Sequence, residues 1–452
     1  MSVKSVIESK LDTVENNLGK MLISTEDFVS VVKYHYLTFF DKEENLIWTK
    51  AFQKAIEENQ YISIPASEKP YYIDDTIIIP SDRHIKAEEG SVICQCPGVK
   101  VILLKNNDIK GSRNISITGG RWEESYRERK GYGQSGMYDQ KRSRYGVSTC
   151  MFFDNIENLI IKDITFAHTA AFSVQCSNIK NGLFENISFK SCYADGLHFN
   201  GNVSNLIVRN IRGQVADDLV ALNMYDWQDS TACFGPMDTV LCENLELSEN
   251  SPYKAFRIQP GTYFSDSGEI INCSADNIII RNVKGIRTFK MYLQTPKYRI
   301  GLKPEKGAVA TANNIFFENI EIDLKSPIDE LPEYMNSDPI RGTFAAFELG
   351  ADIKNIYFEN IDLKIYKDKY PMSYLICAGP KSCVLHAPTE KVEVFDPYLS
   401  STVENIHYKN MRINDTLCAD IKNYTKEISF DDINKDGLST GSGKILNILP
   451  FN

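Results

Sequence analysis

No apolar run in this 452-residue chain approaches the roughly 20 residues that a helix needs to cross a bilayer. The first ten residues, Met1 to Lys10, carry Glu8 and have no apolar core, so they do not read as a secretory signal. Eleven cysteines, an odd number, are scattered without metal-ligand pairing, and Cys94 and Cys96 stand too close together for a zinc knuckle. Without an export signal the thiols are expected to be reduced and the address cytoplasmic. Positive charge is in deficit: 50 Lys and Arg against 60 Asp and Glu give a net charge of −10, which argues against nucleic acid or an anionic membrane as the main partner. Histidine is scarce at six copies, with none between His198 and His386. A chain that is 42% hydrophobic and 24% charged is nevertheless an ordinary globular one, far from disorder.

A recurring phrase is abundant, Asn-Ile-x-apolar-x-Asn-Ile. It runs from Asn205 to Ile211, Asn277 to Val283, Asn314 to Ile320, Asn355 to Ile361 and Asn405 to Met411, with shorter forms at Asn114 and Asn158. With the second Asn as marker, and Asp163 standing in once, the series is Asp163, Asn186, Asn210, Asn244, Asn282, Asn319 and Asn360. Periods of this size, with apolar residues in alternation rather than at helical spacing, predict one coil per repeat of a parallel β-solenoid whose widening repeats carry loops. An Asn at each bend can bond the backbone and its counterpart in the next coil, forming a ladder.

The chain divides on this reading into an N-terminal helical extension (1–47), the solenoid (48–413) and a C-terminal tail (414–452) packing on it. Thr49 to Asn59 has Ala51, Phe52, Ala55 and Ile56 on one face, which predicts an amphipathic helix capping the first coil. In the tail, Asp432 to Gly437 opens like a calcium loop, but Gly443 stands where a bidentate Glu is required, so it reads as a polar turn.

Two short stretches, Ala194-Asp195-Gly196 and Ala216-Asp217-Asp218, put three carboxylates one repeat apart. Together with the entry pattern Ile64-Pro65-Ala66, Tyr72-Ile73 and Thr76 to Ile79, they resemble the pectin-lyase-like right-handed parallel β-helix superfamily. Within it, residues from Trp48 to about Ile300 are similar to the polygalacturonase-like glycoside hydrolases of family 28. The resemblance implies an all-β, single-stranded parallel β-helix. It makes Asp217 the general acid, and Asp195 and Asp218 the pair that holds and activates water. The chain departs from the family's Asn-Thr-Asp-Gly at Tyr193-Ala194 and from its Gly-Asp-Asp at Ala216. The family's Gly-His-Gly, due on the coil after the acid pair, falls within the histidine gap. Its Arg-Ile-Lys is not intact; Arg257 and Lys290 stand in approximately suitable places to grip hydroxyls or a carboxylate.

Glycosidic cleavage needs one protonated and one ionised carboxyl, about 6.5 to 9.5 Å apart where a water must fit between them. Acids on coils stacked at about 4.8 Å are expected near that range, and crowding raises the pKa of one of them. His198 and His168 are further groove candidates, and Trp227 is a candidate sugar-stacking wall after the acid pair. Trp122 and the basic loop from Tyr126 to Tyr145 form a second candidate wall. The expectation is an inverting glycoside hydrolase acting on a plant or microbial oligosaccharide or polysaccharide, with no metal and no cofactor. The alternatives are a polysaccharide lyase or epimerase on the same fold, and a non-catalytic carbohydrate-binding β-helix; a homo-oligomer is left open.

Overall fold

The computed structural model describes residues 2–22, 27–99, 101–107, 110–124, 149–226, 231–252, 254–265, 267–291, 309–324, 345–366, 374–378, 401–414, 416–417, 438–440 and 443–450. Each repeat forms a strand that pairs in parallel, and in register, with the corresponding strand one repeat later. Leu206, Ile207 and Val208 lie beside Val240, Leu241 and Cys242, which lie beside Ile278, Ile279 and Ile280. Together the described strands build one long, almost wholly parallel sheet that winds as a right-handed β-helix.

The three-residue apolar run of each repeat explains both the core and the position of the N-terminal helix. The first and third residues point inward and stack as continuous columns: Ile161, Phe184, Val208, Cys242, Ile280, Phe317 and Phe358 form one of them. The middle residue points outward, yet Ile160, Leu183, Ile207, Leu241, Ile279 and Phe316 are all buried. Helix α1 (Val3–Met21) lies across this outer row with Ile7, Leu11 and Leu18 against it. Its 19 residues span about 28 Å, close to the roughly 24 Å over which six coils stack. Lys4 to Glu318, Glu8 to Arg281 and Glu15 to Arg209 pin it at three of the coils it crosses. Helix α2 (Thr49–Glu58) covers the first coil with Ala51, Phe52, Ala55 and Ile56 turned inward, where its predicted apolar face belongs. At the other end, Leu438–Thr440 and Gly443–Pro450 pair in parallel with Tyr374–Ala378 and Ser401–Ile413, so part of the tail forms a further turn of the sheet. The segment from Asp432 to Gly437 lies outside the described residues.

The Asn repeat is a hydrogen-bonded ladder. The side-chain amide of Asn186 donates to Asp163, and Asn210, Asn244, Asn282, Asn319, Asn360 and Asn410 each donate to the marker one coil before. All of these residues have positive φ, from 51° at Asn410 to 59° at Asp163, a left-handed bend that Asn tolerates better than other side chains. Asn244→Val removes two rungs and forces a β-branched residue into φ 55°. It should destabilise the protein by about 2–3 kcal/mol in urea unfolding, with Asn244→Gly losing less because glycine accepts the bend.

Candidate active site

The three aspartates come together on one outer flank, brought there by two consecutive coils. Asp195 sits in the bend before the strand Leu197–Asn200, and Asp218 opens the strand Asp218–Asn223 directly above it. Gly196 makes that close approach feasible: a Cβ there would lie 2.7 Å from the Leu219 carbonyl oxygen and from the Phe189 ring. The main-chain N–H of Asp218 donates to Asp195 Oδ1 at 3.1 Å, tying the two bends together.

One oxygen from each of Asp195, Asp217 and Asp218 lies within 4.8 Å of the others. This is tighter than the spacing expected from the sequence, for a local reason. Arg257 reaches from the next coil and draws two of the acids together, with Nη2 at 2.6 Å from Asp218 Oδ2 and 3.4 Å from Asp217 Oδ1. The three carboxylates form a donor set that could hold a cation, but the guanidinium already supplies positive charge to two of them. All three are buried, Asp218 completely, and Asp217 is the most accessible at 7%. Asp218 Oδ1 has no hydrogen-bond partner among the described residues.

His198 Nδ1 lies 2.7 Å from Asp195 Oδ2, and Nε2 lies 2.9 Å from Asp226 Oδ2. Burial alone would drive the imidazole pKa down, but the bonds to Asp195 and Asp226 outweigh it and raise the group to about 9. Burial pushes Asp195 up, reinforced by the charge of Asp217 and opposed by His198. Burial also pushes Asp218 up to about 8, with Arg257 opposing and Asp217 and Asp195 reinforcing the rise. Lys290 stands beside Arg257 in the stacked register, buried, with its pKa lowered first by desolvation.

The structure thus brings five of the sequence candidates, Asp195, Asp217, Asp218, His198 and Arg257, into direct contact, with Lys290 next in the row. Arg257 engages the acids themselves, and it stands on the coil after the acid pair, where the family resemblance places a histidine. Trp227 and the loop from Tyr126 to Tyr145 lie outside the described residues. Trp122 is no groove wall: it is fully buried in the core, its Nε1–H donating to the Gly119 carbonyl at 3.2 Å. Core packing took it because it follows the tight Gly119-Gly120 bend on an inward register. His168 lies at a bend with φ 51° and its N–H donating to the Lys190 carbonyl. Sequence reasoning missed Asp226, Asn200, Asn223 and Phe172. Asn200 and Asn223 occupy the same register on adjacent coils, which is the signal that could have found them.

No protein-family model matches the chain, and no curated protein sequence matches it. Solved structures do. A family 28 exopolygalacturonase from Yersinia enterocolitica aligns over 94% of this chain and 78% of its own, with 11% identity and a TM-score of 0.47. PfbA, a surface adhesin of Streptococcus pneumoniae, aligns over 94% and 92%, with 12% identity and a TM-score of 0.43. The catalytic domain of a GH87 alpha-1,3-glucanase aligns over 87% and 66%, with 12% identity and a TM-score of 0.40. At such identities the likeness is one of fold.

The buried acids give the protein a defined pH response. Between pH 3.8 and about 8 the folded Asp218 keeps a proton that the unfolded chain has released, so its contribution to stability falls as pH rises. His198 acts in the same direction: its contribution is complete below pH 6.5 and is lost as pH rises through about 9. Asp218→Asn cannot ionise, so its melting temperature should gain on that of the wild type as pH is raised across the carboxyl window. A constant difference between the two proteins would contradict the assignment.

Proposed function

We propose that the protein is a glycoside hydrolase whose acid is Asp217 and whose water is activated by Asp195 and held by Asp218. The observation that carries this reading is the division of labour among the three clustered carboxyls. Asp217 is the one with access to the surface, as a donor to a leaving oxygen must be. Asp195 faces His198, which opposes the rise that burial gives its pKa and so supports it as the base, while Asp218 is anchored by Arg257 and leaves Oδ1 for the attacking water. Inversion through these groups requires a bound sugar to part Asp217 from the other two toward about 6.5 to 9.5 Å. The substrate class is an oligosaccharide or polysaccharide.

A lyase or epimerase is the second reading, favoured by one observation: Lys290 is buried with its pKa lowered, the condition that turns an ammonium into a base. Elimination would leave a double bond with ultraviolet absorbance, and hydrolysis would not.

Screening plant-derived and microbial oligosaccharides should identify a substrate whose hydrolysis proceeds with inverted anomeric configuration, read by NMR of the first-formed product. Asp217→Asn should then lower kcat by about 10²- to 10⁴-fold with substrate binding retained. Its melting temperature should be unchanged or slightly higher, because relief of repulsion among the acids offsets the lost contact with Arg257. Full activity in Asp217→Asn, or retention of configuration, would overturn the assignment.

A cytoplasmic address belongs to the same proposal. Cys96, Cys150, Cys176, Cys192, Cys242 and Cys273 carry free thiols, and burial pushes each pKa up, Cys96 and Cys273 to about 12. Alkylation of natively purified, denatured protein without reductant should label all eleven cysteines. Several native disulfides in the mass spectrum would refute that address.

A further inference from the structure

His198 is held on every side. It projects from the strand Leu197–Asn200 in a stacked row with Gln175 on one coil and Ala221 on the next. The Phe172 ring lies flat on it, centroids 3.8 Å apart and planes 16° from parallel. Its two nitrogens face two different carboxylates, Asp195 at 2.7 Å and Asp226 at 2.9 Å. An ionised carboxylate only accepts, so with both carboxyls ionised both nitrogens must carry protons to satisfy both contacts, and the ring is then an imidazolium.

Asp226 is built into this position. It is buried at 3% exposure, and Oδ2 also accepts amide bonds from Asn223 at 3.2 Å and Asn200 at 3.3 Å. The same two amide nitrogens lie 3.3 Å from His198 Nε2, but as donors they cannot accept its proton. That leaves Asp226 as the acceptor on this side. The connection continues through Asp195, whose Oδ1 accepts the Asp218 main-chain N–H.

We infer that Asp226, acting through His198, is a positioning residue that keeps Asp195 ionised and its carboxylate oriented for the water site. The inference rests on the reading of Asp195 as a base. Asp195 is buried beside Asp217, two conditions that both favour its neutral form, and His198 is the countercharge that opposes them. A neutral imidazole would offer one N–H for two acceptors. The negative charge of Asp226 makes it favourable for the ring to hold two protons, so that Asp195 always faces a donor. Among the described residues the charged groups facing the ring are Asp195 and Asp226, and Phe172, Gln175, Asn200 and Asn223, which also surround it, are neutral. When Asp195 takes the proton from water, that proton stays on Asp195 and the imidazolium keeps both of its own. Asp226 acts through the ring, as the orienting third member of a catalytic triad does.

The test uses the full-length protein with nitrogen-15-labelled histidine, the His198 signal being identified by its loss in His198→Gln. The wild-type ring should remain doubly protonated through neutral pH and titrate near 9, whereas in Asp226→Asn it should return toward the ordinary 6.5. With a substrate in hand, Asp226→Asn should lower kcat about 10- to 100-fold with KM little changed, as loss of an outer partner does. The acid limb of its kcat profile should move to higher pH, because Asp195 would then protonate more readily. A wild-type ring titrating near 6.5, a titration indifferent to Asp226→Asn, or an unmoved acid limb would each overturn the inference. The NMR arm needs no substrate, so an imidazolium that depends on Asp226 in a protein without glycosidase activity would sink the proposed hydrolysis and leave the Asp226–His198–Asp195 chain standing. If Asp226→Asn fails to fold, the wild-type titration alone decides.

Discussion

Parallel pairing in register governs everything else in this molecule, because it sets each residue beside its counterpart one coil away, at about 4.8 Å. A side chain that gains from meeting a copy of itself is therefore rewarded at every turn. Isoleucine, phenylalanine and asparagine gain in this way, and they fill the inner columns and the bend ladder. Like charges lose, since cross-strand neighbours of one sign repel. The acid site is the place where the chain goes against its own packing rule, and it does so only with countercharges drawn from the same stack. Along one outer row the register runs Gln175, His198, Ala221, Arg257, Lys290 and Glu348, so cations stand on both sides of the small Ala221.

This arrangement splits the compensation in two. His198 answers Asp195 from its own coil, and Arg257 answers Asp218 from the next coil at 2.6 Å. Asp217 receives the weaker share, 3.4 Å from the same guanidinium, and it has more access to the surface than either neighbour. Burial pushes Asp195 and Asp218 toward their protonated forms. The two cations oppose that shift at Asp195 and Asp218 without cancelling it, so the three acids sit in unequal environments, as acid–base chemistry needs.

The fold was legible because repetition is a strong signal. Seven asparagines in the same place of the repeat predicted the ladder, and the apolar runs predicted the inner columns. The outer burial of Ile160, Leu183 and Ile207 was not legible, because alternation assigns the middle residue to solvent unless a separate helix covers it, and α1 is distant in sequence from the coils it covers. Within the site, Asp195, Asp217 and Asp218 could be read from local spacing. Asp226 could not: its role depends on a bend that returns it toward His198, 28 residues earlier, and only the three-dimensional path reveals that. Trp122 was misread for the complementary reason. Aromatic residues near loops suggest a sugar wall, but register, which no single residue discloses, turned this one inward.

The position of the histidine carries the last step. A histidine on the coil after the acid pair, as the family resemblance implies, would add a titratable ring directly beside the acids. Here that coil supplies Arg257, whose guanidinium keeps its charge at any working pH and whose planar fork reaches two carboxylates at once. The titratable ring sits one coil before the pair, between Asp195 and Asp226, where two carboxylates hold it charged. Both cations of the site are thereby fixed across the neutral range. Burial has moved the carboxyls of Asp195 and Asp218 upward toward that range and has lowered Lys290 in the row beside them.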